Sequence, residues 1–98
     1  MVQRIVLLKL KDESLGERER LAARTREVLA ETTGVVRAEV GTPADPASER
    51  SWDLAFSIWL ENTDALPAYQ AHAGHRHLVD QELAPHVECR KAWNFTVP

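Results

Sequence analysis

The chain has 98 residues, of which 44% are hydrophobic and 28% charged, and its formal net charge is -3 at pH 7. This composition is typical of one folded domain over residues 1–98, with too few residues for a second core. The chain lacks the basic excess of nucleic-acid-binding proteins and any apolar stretch long enough to span a bilayer, so we expect neither nucleic acid nor a membrane as a partner. The single cysteine, Cys89, excludes an intrachain disulfide and, with no signal-peptide pattern at the N-terminus, predicts a cytoplasmic protein.

Hydrophobic periodicity and turn signals predict four strands and two helical regions. In chain order these are a strand at 2–10, a helix at 14–33, strands at 35–40 and 52–60, a helical region at 62–84 and a strand at 87–97. The first strand is apolar on both faces, which is typical of a strand covered on two sides. The first helix starts with a capping-box signature, Ser14 followed by Glu17, and Gly34 is a signal for its end.

The two later strands differ in how regularly they alternate. The strand at 52–60 has a wholly apolar face that consists of Trp52, Leu54, Phe56, Ile58 and Leu60. Its opposite face begins with Asp53. The last strand is predicted to place Val87, Cys89 and Trp93 on one face, where Cys89 packs as a small hydrophobe.

The helical region at 62–84 carries its own start, break and stop signals. Asp64 is the predicted N-cap, and Pro67 then falls in the first turn, where its missing N–H costs little. Ala73-Gly74 predicts a break into two pieces, and Pro85 closes the second piece.

The order of these elements is β-α-β-β-α-β, which predicts an α+β protein with a ferredoxin-like fold. Its four strands form one antiparallel sheet, and both helical regions lie on one face of that sheet. Because the first strand is apolar on both sides, the other face needs a cover. A second copy of the chain would supply it, so we expect a homodimer, a dimeric α+β barrel.

A phenol and three imidazoles are concentrated near the predicted break. Tyr69, His72 and His75 are spaced three residues apart and lie near one stripe if the segment is helical. Phenol and imidazole groups can move protons near neutral pH, so this stripe is the candidate site. The alternative is that Tyr69 and His75 only tie the helical region to the sheet through hydrogen bonds.

A metal site formed by His72, His75 and His77 is a further alternative. Imidazole is a common metal ligand, but His75 and His77 are two residues apart and would diverge on a helix. No second cluster of ligands accompanies them, so no metal site is predicted.

Three segments of the chain have a recognisable pattern: residues 5–12, residues 52–55 and Tyr69-x-x-His72-x-x-His75. Together they resemble the stress-responsive A/B barrel (Dabb) family of the dimeric α+β barrel superfamily. The family motif is usually written Y-x-x-H-P-x-H, and Ala73 stands here in place of the proline. The resemblance covers nearly the whole chain and implies a ferredoxin-like fold and a homodimer.

The family also implies a chemistry. Its best understood members resemble polyketide cyclases, which close a linear poly-β-ketone by an intramolecular aldol reaction without a cofactor. By motif position, the resemblance makes His75 the base and Tyr69 the hydrogen-bond donor of such a reaction. Arg4 and Leu54 occupy the strand positions that match pocket residues of such members, and with His72 they are the candidates for substrate contact. For His72 a structural role is favoured, in which it orients the bend at Ala73-Gly74 or caps the first helical piece. Cofactor-free oxygenation and non-catalytic ligand binding in a stress response are the alternative functions.

Overall fold

The sheet contains four antiparallel strands in the spatial order β2-β3-β1-β4. The computed structural model describes residues 1–98. Its strands are β1 (Val2–Leu10), β2 (Val35–Gly41), β3 (Leu54–Leu60) and β4 (Val87–Thr96). The central strand β1 pairs with β3 on one side and with β4 on the other, and β2 pairs with β3. The predicted ferredoxin-like topology is therefore confirmed.

The helices divide into one long helix and a chain of short ones. A 3-10 segment (Asp12–Glu17) leads into α1 (Arg18–Glu31), and α2 (Pro46–Glu49) lies in the loop after β2. The second helical region consists of a 3-10 turn (Thr63–Ala65), α3 (Leu66–Ala71), α4 (Ala73–His77), a π-helix (Leu78–Leu83) and a 3-10 turn (Ala84–His86). None of these helices has the length and apolar character that crossing a membrane requires.

The hydrophobic core lies between the sheet and the helices. Burial alternates along β1, where Val6 and Leu8 are buried and the intervening residue Leu7 is only half-buried. The buried side chains of the sheet form one cluster with Leu21 and Leu29 of α1 and with residues of the second helical region. The helices therefore cover one face of the sheet, as predicted, and the opposite face is left bare.

The start of the first helix differs from the prediction. Ser14 does not form a capping box with Glu17, because its hydroxyl is buried and bonds His86 Nδ1 at 2.8 Å. The backbone N–H of Lys11 also donates to the carbonyl of His86 at 2.8 Å, so long-range contacts replace the local cap. α1 ends at Glu31 with Thr32 as its C-cap, two residues before the predicted end at 33. Gly34 lies in the turn that leads into β2, with a φ of 92° that other residues rarely adopt.

The predicted N-cap of the second helical region was wrong by two residues. Asn62 is the cap, because its side-chain oxygen accepts a hydrogen bond from the backbone N–H of Asp64 at 3.0 Å. Pro67 lies in the first turn of α3, as predicted.

A β-bulge near the start of β4 changes which residues share a face. Cys89 pairs with Lys9, whereas Val87 pairs with Leu10, so Glu88 is an extra residue without a partner in β1. Val87 consequently packs against the core, and Cys89 is exposed rather than packed. The prediction that these two side chains lie on one face was therefore wrong.

Asp53 precedes β3 and is one of the most deeply buried residues, with 1% of its surface exposed. Its carboxylate accepts a hydrogen bond from the backbone N–H of Leu10 at 2.8 Å and one from Arg18 Nη2 at 2.6 Å. The sequence pattern had placed Asp53 on the outer face of a longer strand. In the structure it ties the end of β1 to the start of α1.

Candidate functional site

The second helical region bends sharply at His72, which lies between α3 and α4. Its backbone has φ -56° and ψ 127°, and its carbonyl accepts a hydrogen bond from the N–H of Arg76 at 2.9 Å. The predicted break is thus confirmed, directly before Ala73-Gly74. In an unbroken helix, side chains six residues apart point about 120° away from each other. The bend instead brings the rings of Tyr69 and His75 into contact, with centroids 4.4 Å apart at an interplanar angle of 43°.

Tyr69 and His75 line a cavity of about 270 Å³ between the sheet and the second helical region. Most of its wall is apolar and comes from β1, β3, the π-helix and the start of β4. The main apolar residues are Val6, Leu8, Phe56, Val79, Leu83 and Val87. The cavity is therefore a mostly apolar space with a few polar groups, as is typical of small-molecule sites.

Two arginines supply the charges of this cavity. Arg4 projects from β1 and is only 8% exposed. Its Nη1 donates a hydrogen bond at 3.0 Å to Oδ1 of Asn94, the residue opposite it on β4. Arg90 lines the cavity from β4. No aspartate or glutamate lines the cavity, so the two arginines are its only residues with a full charge at neutral pH.

Tyr69 is 2% exposed and presents its phenol to the cavity. Burial raises the pKa of Tyr69 above its ordinary value of 10.0, and the positive charges of Arg4 and Arg90 oppose only part of that rise. The phenol is consequently protonated at neutral pH. It can donate a hydrogen bond to an oxygen atom in the cavity.

His75 is neutral at physiological pH. Burial, first, and the nearby charges of Arg76 and Arg4, second, lower the pKa of His75 from 6.5 to about 4. Its Nδ1 is buried and has no hydrogen-bond partner. Because no group of the chain binds this nitrogen, the choice of tautomer is left to the ligand or to water.

The sequence of the whole chain matches one family. The model of the stress-responsive A/B barrel (Dabb) domain covers residues 2–97. The chain belongs to the Dabb family. No curated protein matches it.

Several solved structures are similar to this Dabb domain. A dimeric ferredoxin-like protein of unknown function from Thermobifida fusca has a TM-score of 0.84 and 23% identity, over 98% of this chain and 90% of that chain. A dimeric protein of unknown function from Bacteroides fragilis has a TM-score of 0.81 and 25% identity, over 98% and 95%. A hydroxynitrile lyase from Passiflora edulis has a TM-score of 0.80 and 16% identity, over 99% and 93%. These similarities confirm the ferredoxin-like fold.

The Dabb motif residues do not all reach the cavity. Of the five predicted site residues, Tyr69, His75 and Arg4 line the cavity, and His72 and Leu54 do not. Nδ1 of His72 is buried without a partner, and the ring lies against Gly74, where an added Cβ would be 3.2 Å from Cε1. His72 thus shapes the bend rather than the cavity.

Leu54 lies at the start of β3, 1% exposed, and lines a different and more open depression beside the loop after β2. Arg90 lines the cavity, although the sequence did not identify it as a site residue. Arg90 is four residues before Asn94 on the same strand, so strand alternation places both on the helix side of the sheet. That alternation identifies the face on which Arg90 lies, but not the cavity that it borders.

The histidines of the Dabb motif do not form a metal centre with their neighbours. His77 is exposed and its Nε2 lies 3.9 Å from Oε2 of Glu82, away from the cavity. No group of three or more histidine, cysteine, aspartate or glutamate side chains is arranged to hold a metal ion.

Proposed function

We propose that this Dabb domain binds a small molecule in the cavity and catalyses a cofactor-independent proton transfer at a carbon atom beside a carbonyl group. A polyketide-cyclase-like intramolecular aldol reaction is the form of this chemistry that we favour. The observation that carries the proposal is the contact between a protonated phenol and a neutral imidazole in one mostly apolar cavity. These are the two groups that enolisation requires, a base and a hydrogen-bond donor.

In the proposed mechanism, His75 takes a proton from a carbon atom between two carbonyl groups. Tyr69 donates a hydrogen bond to the carbonyl oxygen that becomes the enolate oxygen. With a pKa of about 4, His75 is a weak base in the empty cavity. The negative charge that develops on the substrate offsets the charges of Arg4 and Arg76, so the imidazole becomes more basic as the proton moves.

Replacing His75 by Ala is expected to reduce catalysed enolisation to the rate of the buffer. The reaction is followed with pentane-2,4-dione in D2O, as deuterium uptake at its central methylene above the buffer rate. Removal of a general base costs about 100- to 10,000-fold. Tyr69→Phe keeps the ring and loses only the hydroxyl, so we expect a loss of about 100-fold.

His77→Ala is the matched control, because His77 is an exposed histidine outside the cavity. Its rate should equal that of the unmodified chain. A His75→Ala variant that folds and still catalyses exchange would refute the assignment of the base. Oxygen uptake with an electron-rich aromatic substrate, in place of enolisation, would favour the oxygenase alternative.

We further propose that the bare face of the sheet is the interface of a homodimer. Trp93 and Phe95 are 43% and 49% exposed on this face, and Ile5 and Leu7 of β1 lie beside them. A group of large, exposed apolar side chains that are neighbours on one surface marks an interaction site. The similar proteins from Thermobifida fusca and Bacteroides fragilis are dimeric, which supports a second copy as the cover.

Replacing Trp93 by Glu is expected to convert the proposed dimer into a monomer, because each copy would bury a charge in an apolar interface. The molar mass from light scattering coupled to size-exclusion chromatography tests this. Leu15→Glu is the matched control, since Leu15 is 41% exposed on the helical side of the chain. A Trp93→Glu variant that keeps the dimer mass would place the interface elsewhere.

A further inference from the structure

Two residues that carry a full charge at neutral pH, Asp53 and Arg4, are buried, and only Asp53 has a counter-ion. Asp53 has a counter-ion, because Arg18 Nη2 lies 2.6 Å from its Oδ1. Arg4 has none: its Nη1 bonds the neutral amide of Asn94, and no ion pair includes it. A buried charge without a partner is costly, and a guanidinium cannot lower that cost by losing its proton.

A second cation without a counter-ion faces the same space. Arg90 lines the cavity and forms no ion pair. Arg4 and Arg90 line the same cavity as Tyr69 and His75, so a ligand in this cavity can reach the two guanidinium groups and the candidate catalytic pair. Arg90 is exposed to solvent, whereas Arg4 is buried, so an anionic ligand would gain most from the charge of Arg4.

The shape and lining of the cavity define the rest of that ligand. Its volume of about 270 Å³ is near the lower limit for small-molecule sites. Beyond the two arginines, Tyr69 and His75, the wall is apolar, with Phe56 on the sheet side and Val79 on the helical side among its members. An apolar body of about one ring or a short carbon chain fits this space.

We propose that the substrate class of this cavity is a small apolar carboxylate, whose negative charge is bound by Arg4 and Arg90 and whose carbon skeleton packs on the apolar wall. The inference rests on the proposed function, because it names the substrate of the same site. A guanidinium binds a carboxylate through two parallel N–H···O bonds, which gives orientation as well as affinity. The carboxylate thereby fixes the position of the carbon skeleton beside His75.

Asn94 is the positioning residue of this arrangement. It is exposed, and its Oδ1 accepts from Arg4 Nη1 without neutralising the guanidinium. Replacing Asn94 by Asp changes the shape of the side chain very little, but gives Arg4 a permanent counter-ion. A ligand carboxylate would then have to compete with the introduced carboxylate at the same guanidinium, which in the unmodified chain is free to bind it.

Calorimetric titration with benzoate and with its neutral analogue benzamide tests the proposal. Benzoate should bind at least 10-fold more tightly than benzamide to the unmodified chain. Arg4→Gln should weaken benzoate binding by about 10- to 100-fold and leave benzamide binding unchanged, as expected for the loss of charged hydrogen bonds. Asn94→Asp, which keeps Arg4, should also weaken benzoate binding.

Arg50→Gln is the control, because Arg50 is an exposed arginine without an ion pair at the end of α2. Its affinity for benzoate should equal that of the unmodified chain. Equal affinities for benzoate and benzamide, or full benzoate affinity in a folded Asn94→Asp variant, would overturn the proposal. The two proposals can fail separately, because carboxylate binding depends on the arginines and enolisation depends on His75. His75→Gln should lose enolisation of the uncharged diketone and still bind benzoate.

Discussion

Replacing Asp53 by Ala is expected to lower the free energy of unfolding by about 3 kcal/mol, because it removes the close counter-ion of Arg18 and leaves only the exposed Glu49, 3.8 Å away. The carboxylate has no exposed side-chain surface, whereas 19% of the Arg18 side chain is exposed. The substitution also leaves the backbone N–H of Leu10 without its acceptor. Urea unfolding followed by tryptophan fluorescence measures the loss.

Two further variants separate the causes of that loss. Asp53→Asn keeps an oxygen that can accept from Leu10, so its loss should be smaller than that of Asp53→Ala. Asp80→Ala removes an ion pair in which both side chains are 49% exposed, and such pairs contribute about 1 kcal/mol or less. If Asp53→Ala were no less stable than Asp80→Ala, Asp53 would not tie the sheet to α1 as described.

The stability of the chain is expected to depend on pH through His75. Its pKa is about 4 in the folded state and 6.5 ordinarily, so the unfolded chain binds a proton at pH values where the folded chain does not. The contribution that the neutral His75 makes to the free energy of unfolding is fully present above pH 6.5, and it is lost as pH falls from 6.5 to 4. The loss is at most about 3 kcal/mol, reduced by the solvent that reaches the ring.

Glutamine substitutions isolate this effect from the other titrating groups. The free energy of unfolding, measured in urea from pH 7.5 to 4, should fall less steeply for His75→Gln than for the unmodified chain. His77→Gln, at an exposed histidine, should reproduce the unmodified slope. A His75 ring that titrates near 6.5 by NMR would contradict the burial and the charges that the structure assigns to it.

The strands were predictable from sequence because each side chain's environment follows from a period of two. The alternation of Leu54 and Phe56 in β3 with more exposed neighbours is one clear case, and the two-sided apolar pattern of β1 is another. Features that depend on contacts between distant segments were not predictable. The bulge at Glu88 and the bond from Ser14 to His86, 72 residues away, leave no local pattern.

The candidate site was predicted in part. The residue types of Tyr69 and His75 identified the pair, but the reason given, a shared stripe on one helix, is not how they meet. The bend at His72 brings them together, and Ala73-Gly74 indicated that bend. Arg90 was missed because strand position alone does not show which side chains border a void rather than a packed core.

The bend at His72 also divides the cavity wall into parts of unequal rigidity. Helices of six and five residues are too short to be stable by themselves and depend on packing for their order. The opposite wall is a four-stranded antiparallel sheet, in which β1 pairs with β3 on one side and with β4 on the other. Displacement of α3 and α4, which contribute Tyr69 and His75 to the cavity, would enlarge it without any change in strand pairing. We expect members of this architecture to differ in ligand size mainly through these two short helices.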